Sequence, residues 1–327
     1  MFRDFANVWT PVMPAKRLGR SLVPFVLGGE RIVIFRDDHG VPAALVDRCP
    51  HRGAALSLGK RTENGCIECP FHGWQFDGAG NNVHVPFNPD AKRELLAATP
   101  LPAREIGGLI WVYTAPGKTT DVEPNVPDAL LRDDVHCTYL EADWSAHWTR
   151  AMENMLDYPH LPFVHRTTIG RDIEKRMTPR STLEMGWHEQ PYGARITVAV
   201  DADAPRDILE WHAPNGMALL LAPPPKLFRI HAFCIPTEPG RTRMLVVSAR
   251  SFAKLALLDP LFDLGNRKIL AQDRAVVESS QPAETPPAQE EVSVATDRPT
   301  LAFRRHYLGR LKGSDAALSK RSLLRAS

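Results

Sequence analysis

No apolar run of roughly eighteen residues occurs anywhere in the chain, so no membrane-spanning helix is expected. The opening residues Met1-Phe2-Arg3-Asp4-Phe5 lead into no apolar segment of the kind a secretory leader needs. Charge of either sign is not in excess: the net +2 lacks the concentrated basic face that a nucleic-acid-binding protein requires. Cysteine is scarce and odd in number, five in all, which argues against a disulfide framework and for a reducing compartment, the cytoplasm. There is no G-x-G-x-x-G fingerprint, since Gly28-Gly29 and Gly107-Gly108 read as turns, so the chain has no dinucleotide site of its own. Internal repeats are also lacking.

What is present is a chain of 327 residues, 43% hydrophobic and 24% charged, enough for two domains with sizeable cores. Residues 23–27, 31–36 and 43–47 read as strands separated by Gly28-Gly29 and Asp37-Asp38-His39-Gly40. Gly65 to Cys69 reads as a further strand, Trp74 to Asn81 as a hairpin, and Leu109 to Tyr113 as a closing strand. This half is a small all-β domain ending near Pro116, and Thr114 to Thr120 has linker composition. Helical periodicity then runs from Trp144 to Leu156, with Pro159 and Pro162 breaking it. Strands follow at 195–200, 217–221, 228–235 and 244–252, and a long helix from Leu255 to Val277. Its candidate core positions are Leu255, Leu258, Phe262, Ile269, Leu270 and Val277. Gln281 to Val294 reads as a surface loop, either a solvated connector or a lid. The basic segment carrying Arg304, Arg305, Arg310 and Lys312 reads as a solvated face, and the last residues as a tail. The division expected is 1–117 and 118–327, an α+β chain overall.

Two short stretches carry the chemistry. Cys49-Pro50-His51-Arg52-Gly53 and Cys69-Pro70-Phe71-His72-Gly73-Trp74 give C-x-H, seventeen residues, then C-x2-H. A structural zinc site would take all four donors around one ion, but its cysteines usually come as a C-x2-4-C pair. Here each loop offers one thiolate and one imidazole, which suits two metals with different ligand sets. A Rieske [2Fe–2S] centre has that arrangement, with two Cys on one iron and two His on the other. Two matched loops, each followed by glycine, argue against chance proximity. The remaining Cys66, Cys137 and Cys234 read as ordinary buried thiols.

This stretch resembles the cluster-binding motif of the Rieske non-haem iron oxygenases. A second constellation, Asn154-x2-Asp157-x2-His160-x4-His165, bears on the same resemblance. Two histidines five apart on a continuous helix would point about 140° from each other. The prolines at 159 and 162 bend the chain and let His160 and His165 face one point. A two-His-one-carboxylate metal needs one more ligand. Asp157 is local, and spacing alone does not choose among Asp259, Asp263 and Asp273 on the later helix.

Asn154 to His165 is similar, without a gap, to the mononuclear-iron motif of that family. The resemblance implies that His160, His165 and Asp273, the last from Gln272-Asp273-x4-Glu278, bind an Fe(II) ion. It implies that Asp157 links an iron-ligating histidine to a cluster-ligating histidine of a neighbouring subunit, and that Asn154 sits close to the iron. It implies Cys49, His51, Cys69 and His72 as the ligands of the [2Fe–2S] cluster. Trp74 either packs over the cluster or belongs to its domain core.

The implied fold is an N-terminal all-β Rieske domain followed by a catalytic domain whose antiparallel sheet is flanked by helices, of the helix-grip type. The implied activity is that of a terminal oxygenase, a monooxygenase that hydroxylates or oxidatively demethylates a small to medium ring-containing substrate with O2. Electrons would come from NAD(P)H through a separate reductase or ferredoxin, and the assembly implied is a head-to-tail homotrimer. Arene cis-dihydroxylation and a pure electron-transfer role are the alternatives. Ser280-Gln281-Pro282 and Asp297-Arg298-Pro299 through Arg304-Arg305 resemble a branch that holds saxitoxin-pathway alkaloid hydroxylases, plastid Tic55-like proteins and O-demethylases. Candidate pocket or core positions are Met152, Leu161, Phe163, Leu220 and Phe233.

Overall fold

The computed structural model describes residues 1–178, 180–222 and 225–313; the expected tail lies outside them. The chain divides into two units, Met1–Val126 and a second beginning at Pro127. The segment after Gly117 goes with the first unit because the Trp9 indole Nε1 donates to the Val122 carbonyl at 2.6 Å.

The first unit is built of short antiparallel strands in three sheets. β1 (Trp9–Pro14) pairs with β11 (Leu109–Tyr113), which pairs with β10 (Ala103–Ile106). β2 (Val23–Leu27), β3 (Glu30–Arg36), β4 (Pro42–Val46) and β9 (Pro100–Leu101) form a second sheet in that order. β5 (Lys60–Arg61), β6 (Ile67–Glu68), β7 (Gln75–Phe76) and β8 (Asn82–His84) form the third. β1 carries Pro11 and Pro14, which is why alternation does not reveal it. It is tolerated because β1 is an edge strand, bonded only to β11. The β7–β8 turn closes on Asp77, whose Oδ1 accepts from Ala79 and Asn81 N–H at 2.9 and 2.8 Å. Val33, Phe35, Leu45, Leu56, Ile67 and Phe76 bury a core that also encloses Cys49 and Cys69. Each such side chain contributes about 1.5–3 kcal/mol on leaving water, enough to fix the loops they anchor.

The second unit is organised on one seven-stranded antiparallel sheet. Its strands are β12 (His136–Trp144), β13 (Leu183–Gln190), β14 (Gly193–Val200), β15 (Arg206–His212), β16 (Gly216–Leu220), β17 (Phe228–Pro236) and β18 (Thr242–Arg250). Their order is β12-β18-β17-β16-β15-β14-β13. The helices are α1 (Trp148–Leu156), α2 (Leu161–Val164), α3 (Arg171–Arg176), α4 (Asp259–Val277) and α5 (Arg298–His306). Among the described residues no helix is long and apolar enough to cross a membrane.

Several expectations need correction. Trp144 ends β12, and the helix begins only at Trp148, where His147 caps it by accepting from Thr149 N–H. Pro162 does not interrupt a helix: it stands in the first turn of α2, where its missing N–H costs nothing. Leu255 is 71% exposed, ahead of α4 rather than on its buried face. Arg304 is buried, not solvated, and the loop that follows Gln281 is tied down. Arg150 donates to Pro282 O and to Glu291, and Thr285 Oγ1 to Glu153 at 3.0 Å. Arg304 completes this cluster by pairing with Glu153 and Glu291.

Candidate metal centres

In the first unit two loops close with the same backbone pattern. Cys49 N–H donates to Ala54 O at 2.8 Å and Gly53 N–H to Cys49 O at 2.9 Å. Cys69 N–H donates to Trp74 O at 2.8 Å and Gly73 N–H to Cys69 O at 3.0 Å. The return needs a left-handed residue, and Gly53 and Gly73 supply it at φ 74° and 70°. The two cysteines are buried, and burial pushes the Cys49 thiol up to about 11, with Cys69 adding to the rise. The His51 and His72 rings lie 4.6 Å apart. His51 stacks flat on Trp74, centroids 4.5 Å apart and planes 4° from parallel, so Trp74 packs both against the histidine and on the domain core. His51 Nδ1 is buried without a hydrogen-bond partner among the described residues, an orphaned ligand atom of the sort a metal satisfies. Two thiols and two imidazoles in this arrangement fit a Rieske cluster.

In the second unit His160 immediately precedes α2 and His165 immediately follows it. One helical turn therefore separates them, and His165 leaves helical geometry at φ −105°, ψ 22°. Asp273, near the end of α4 and only 2% exposed, meets both. Its Oδ1 lies 2.9 Å from His165 Nε2 and 3.5 Å from His160 Nε2. One ligand atom from each of the three residues falls within 4.8 Å of the others, a spacing that fits a single ion. Burial alone would raise the Asp273 carboxyl, but the two histidines outweigh it and hold it below its ordinary value. His165 is raised in turn, since the Asp273 carboxylate beside it overcomes the opposing effect of its burial.

Gln272, which the sequence reading left without a role, orients the site. Its Oε1 accepts from His165 Nδ1 at 3.1 Å and from Thr168 Oγ1 at 3.1 Å, while its Nε2 donates to Thr167 Oγ1 at 3.2 Å. With Nδ1 so engaged, His165 Nε2 is aimed at Asp273. The only signal in the sequence is its adjacency to Asp273. Asp157 caps α1 and takes the backbone N–H of His160, and its own burial raises its carboxyl. His160 Nδ1 and Asn154 Nδ2 are buried and have no hydrogen-bond partner among the described residues.

These residues border a cavity of about 60 Å³. Asn154, Asp157, His160, His165 and Asp273 form one side, and Leu209, Met217, Leu219, Ile230, Ala232 and Val246 from the sheet form another. Of the five pocket candidates named from sequence only Leu161 lines it. Met152 is fully buried elsewhere, Phe163 is 77% exposed, and Leu220 and Phe233 fall on the opposite strand phase from Leu219 and Ala232. Asp259 pairs instead with Arg250 and His136, away from the cavity lining.

Comparison with known proteins gives two family matches. Residues 8–100 match the Rieske [2Fe-2S] domain, and residues 144–310 match the vanillate O-demethylase oxygenase C-terminal domain. The chain is 38% identical over 285 residues to chlorophyllide a oxygenase of Chlamydomonas reinhardtii, covering 81% of this chain and 41% of that protein. It is 34% identical over 167 residues to the oxygenase component of dicamba O-demethylase from Stenotrophomonas maltophilia, covering 50% and 46%. The chain thus spans about half or less of the length of these curated relatives. The structure of dicamba monooxygenase bound to dicamba superposes with a TM-score of 0.76 at 21% identity, covering 97% of this chain and 99% of that one, which shows the shared fold. The family carries a Rieske cluster and a mononuclear iron, and the second match alone takes in more than half of the sequence. By these two matches, on a fold whose two units each hold a convergent donor set, the chain belongs to the Rieske non-haem iron oxygenases.

Proposed function

We propose that the chain is the oxygenase component of a Rieske system, hydroxylating or oxidatively demethylating a small to medium ring-containing substrate with O2. Its electrons would come from NAD(P)H by way of a separate reductase or ferredoxin. The observation that carries this reading is the convergence of His160, His165 and Asp273 at the edge of an apolar cavity.

In this reading Cys49, His51, Cys69 and His72 hold the cluster, and His160, His165 and Asp273 hold the mononuclear iron. When bound, the cluster supplies electrons and the iron supplies open positions for dioxygen and substrate. The residues of the chain do the rest. Gln272 fixes the ring of His165 by accepting a hydrogen bond from its Nδ1–H. The neighbouring sheet side chains give the cavity an apolar wall. Asp157, held at the end of α1, would accept from His160 Nδ1, and in a head-to-tail ring of three copies it would link that histidine to a cluster-ligating histidine of the next copy. Asn154, three residues earlier on α1, would contact what binds beside the iron.

The test is iron and acid-labile sulfide per chain in wild type and Asp273→Ala, prepared without oxygen. About three irons and two sulfides are expected in wild type, and one iron fewer with sulfide unchanged in the variant. About two irons in both proteins would point to an electron carrier, and zinc without sulfide would overturn the reading.

A further inference from the structure

The cavity beside His160, His165 and Asp273 has a one-sided chemistry. Leu209, Met217, Leu219, Ile230, Val246 and Ile269 give it hydrocarbon walls. Among the described residues lining it there is no lysine or arginine, while Asp157 and Asp273 both border it. At the end away from the ion that His160, His165 and Asp273 would hold, a substrate carboxylate would lie among aliphatic side chains with no lysine or arginine to pair with, which is unfavourable. Neutral molecules carry no such penalty.

One amide stands apart in this lining. Asn266 is 7% exposed, and it lies four residues before Leu270 and seven before Asp273 on α4. All three line the cavity, so they share one helix face. Asn266 Nδ2 donates to Ser248 Oγ on β18 at 2.7 Å, which fixes the amide plane. Among the described residues none donates to its Oδ1, the other end of that amide. Two helical turns separate it from Asp273, roughly 10 Å along the axis, about the reach of a substituted benzene ring.

We infer that the cavity selects a neutral, largely apolar molecule with a single hydrogen-bond donor at the end remote from the metal, and that Asn266 Oδ1 accepts from that donor. This deepens the oxygenase reading above and rests on it. The amide oxygen then discriminates by what it loses: a congener without the donor leaves it facing aliphatic walls with no bond to a ligand. The ring axis, held between the donor at Asn266 and the hydrocarbon walls, places the opposite substituent toward His160 and His165.

Three ligands of nearly one shape test this: para-methoxybenzyl alcohol, para-methylanisole and para-methoxybenzoate. Their dissociation constants are measured calorimetrically, without oxygen, on protein whose iron and sulfide contents have been determined. The alcohol should bind about five- to tenfold tighter than para-methylanisole, the worth of one neutral hydrogen bond. It should bind at least about tenfold tighter than the benzoate. Asn266→Leu should bring the alcohol down to the affinity of para-methylanisole and leave the latter unchanged. The double variant Asn266→Ala/Ser248→Ala removes both partners of the buried bond and should give the same levelling if the leucine variant does not fold. Benzoate binding as tightly as the alcohol, a preference that survives both variants, or failure of all three to bind would overturn the assignment. Any of these in protein with three irons and two sulfides, one iron being lost in Asp273→Ala, would sink the substrate class and leave the oxygenase reading intact.

Discussion

Gly170 has no room for a side chain, because an added Cβ would sit 1.8 Å from the carbonyl oxygen of Leu161. That carbonyl accepts the His165 N–H at 3.0 Å, and Gly170 N–H donates to His165 O at 3.0 Å. The turn bearing both histidines is therefore packed directly on this glycine. Gly170→Ala must push the turn away at a cost of about 1–3 kcal/mol for overpacking. Less mononuclear iron should be retained, with sulfide per chain unchanged. A variant that keeps its full iron at wild-type melting temperature would show that the turn can yield.

The strands at 23–27 and 109–113 were legible because short apolar runs rich in β-branched and aromatic residues adjoin glycine turns there. β1 was hidden by its prolines, and β13 by its largely polar, partly exposed residues. The cysteine and histidine loops were fully legible, since each closes within six residues. The choice of Asp273 over Asp259 was not, because it depends on how the fold brings Asp273 to His160 and His165, which no local spacing records. Which residues face the cavity was equally hidden: Ala232 and Phe233 differ by one strand phase, and only register and packing decide which points inward.

Gln272 stands behind His165 rather than beside the ion. Replacing it by leucine removes the acceptor at 3.1 Å from His165 Nδ1 and frees the ring to turn. Loss of such a partner typically lowers metal affinity by about 10–100-fold. Gln272→Leu should lose mononuclear iron to a chelator correspondingly more readily, while the cluster absorption stays as in wild type. Equal loss rates in the two proteins would remove Gln272 from this role.

Glu153 is the shared anion of two buried arginines. It pairs with Arg150 at 3.0 Å and with Arg304, each of them below a tenth exposed. Truncation leaves Glu291 as the one carboxylate that both guanidiniums share. Glu153→Ala should cost about 3–5 kcal/mol, as removal of one member of a buried ion cluster does, and would loosen the loop that Thr285 and Glu291 hold against α1. Urea unfolding of the two proteins measures it. A cost below about 1 kcal/mol would mean that the cluster behaves as a solvated surface pair.

His306 gives the second unit a distinct acid response. Burial, with Arg310 adding to it, lowers the imidazole from 6.5 to about 4. Its ring meets Trp211 edge-on at 4.9 Å. In the unfolded chain the imidazole takes up its proton as the pH passes 6.5, whereas in the folded chain it stays neutral until about 4. The unfolded state therefore binds more protons across that window, and stability falls as the pH drops through it, by at most ~3 kcal/mol. Above the window the residue contributes no pH dependence, and below it the loss is complete. His306→Phe keeps an aromatic ring against Trp211 and has no proton to gain. The difference in unfolding free energy between variant and wild type should therefore grow in the variant's favour as the pH falls from 6.5 to 4 and then level off. A difference constant across that range would mean that the imidazole is charged in the folded protein.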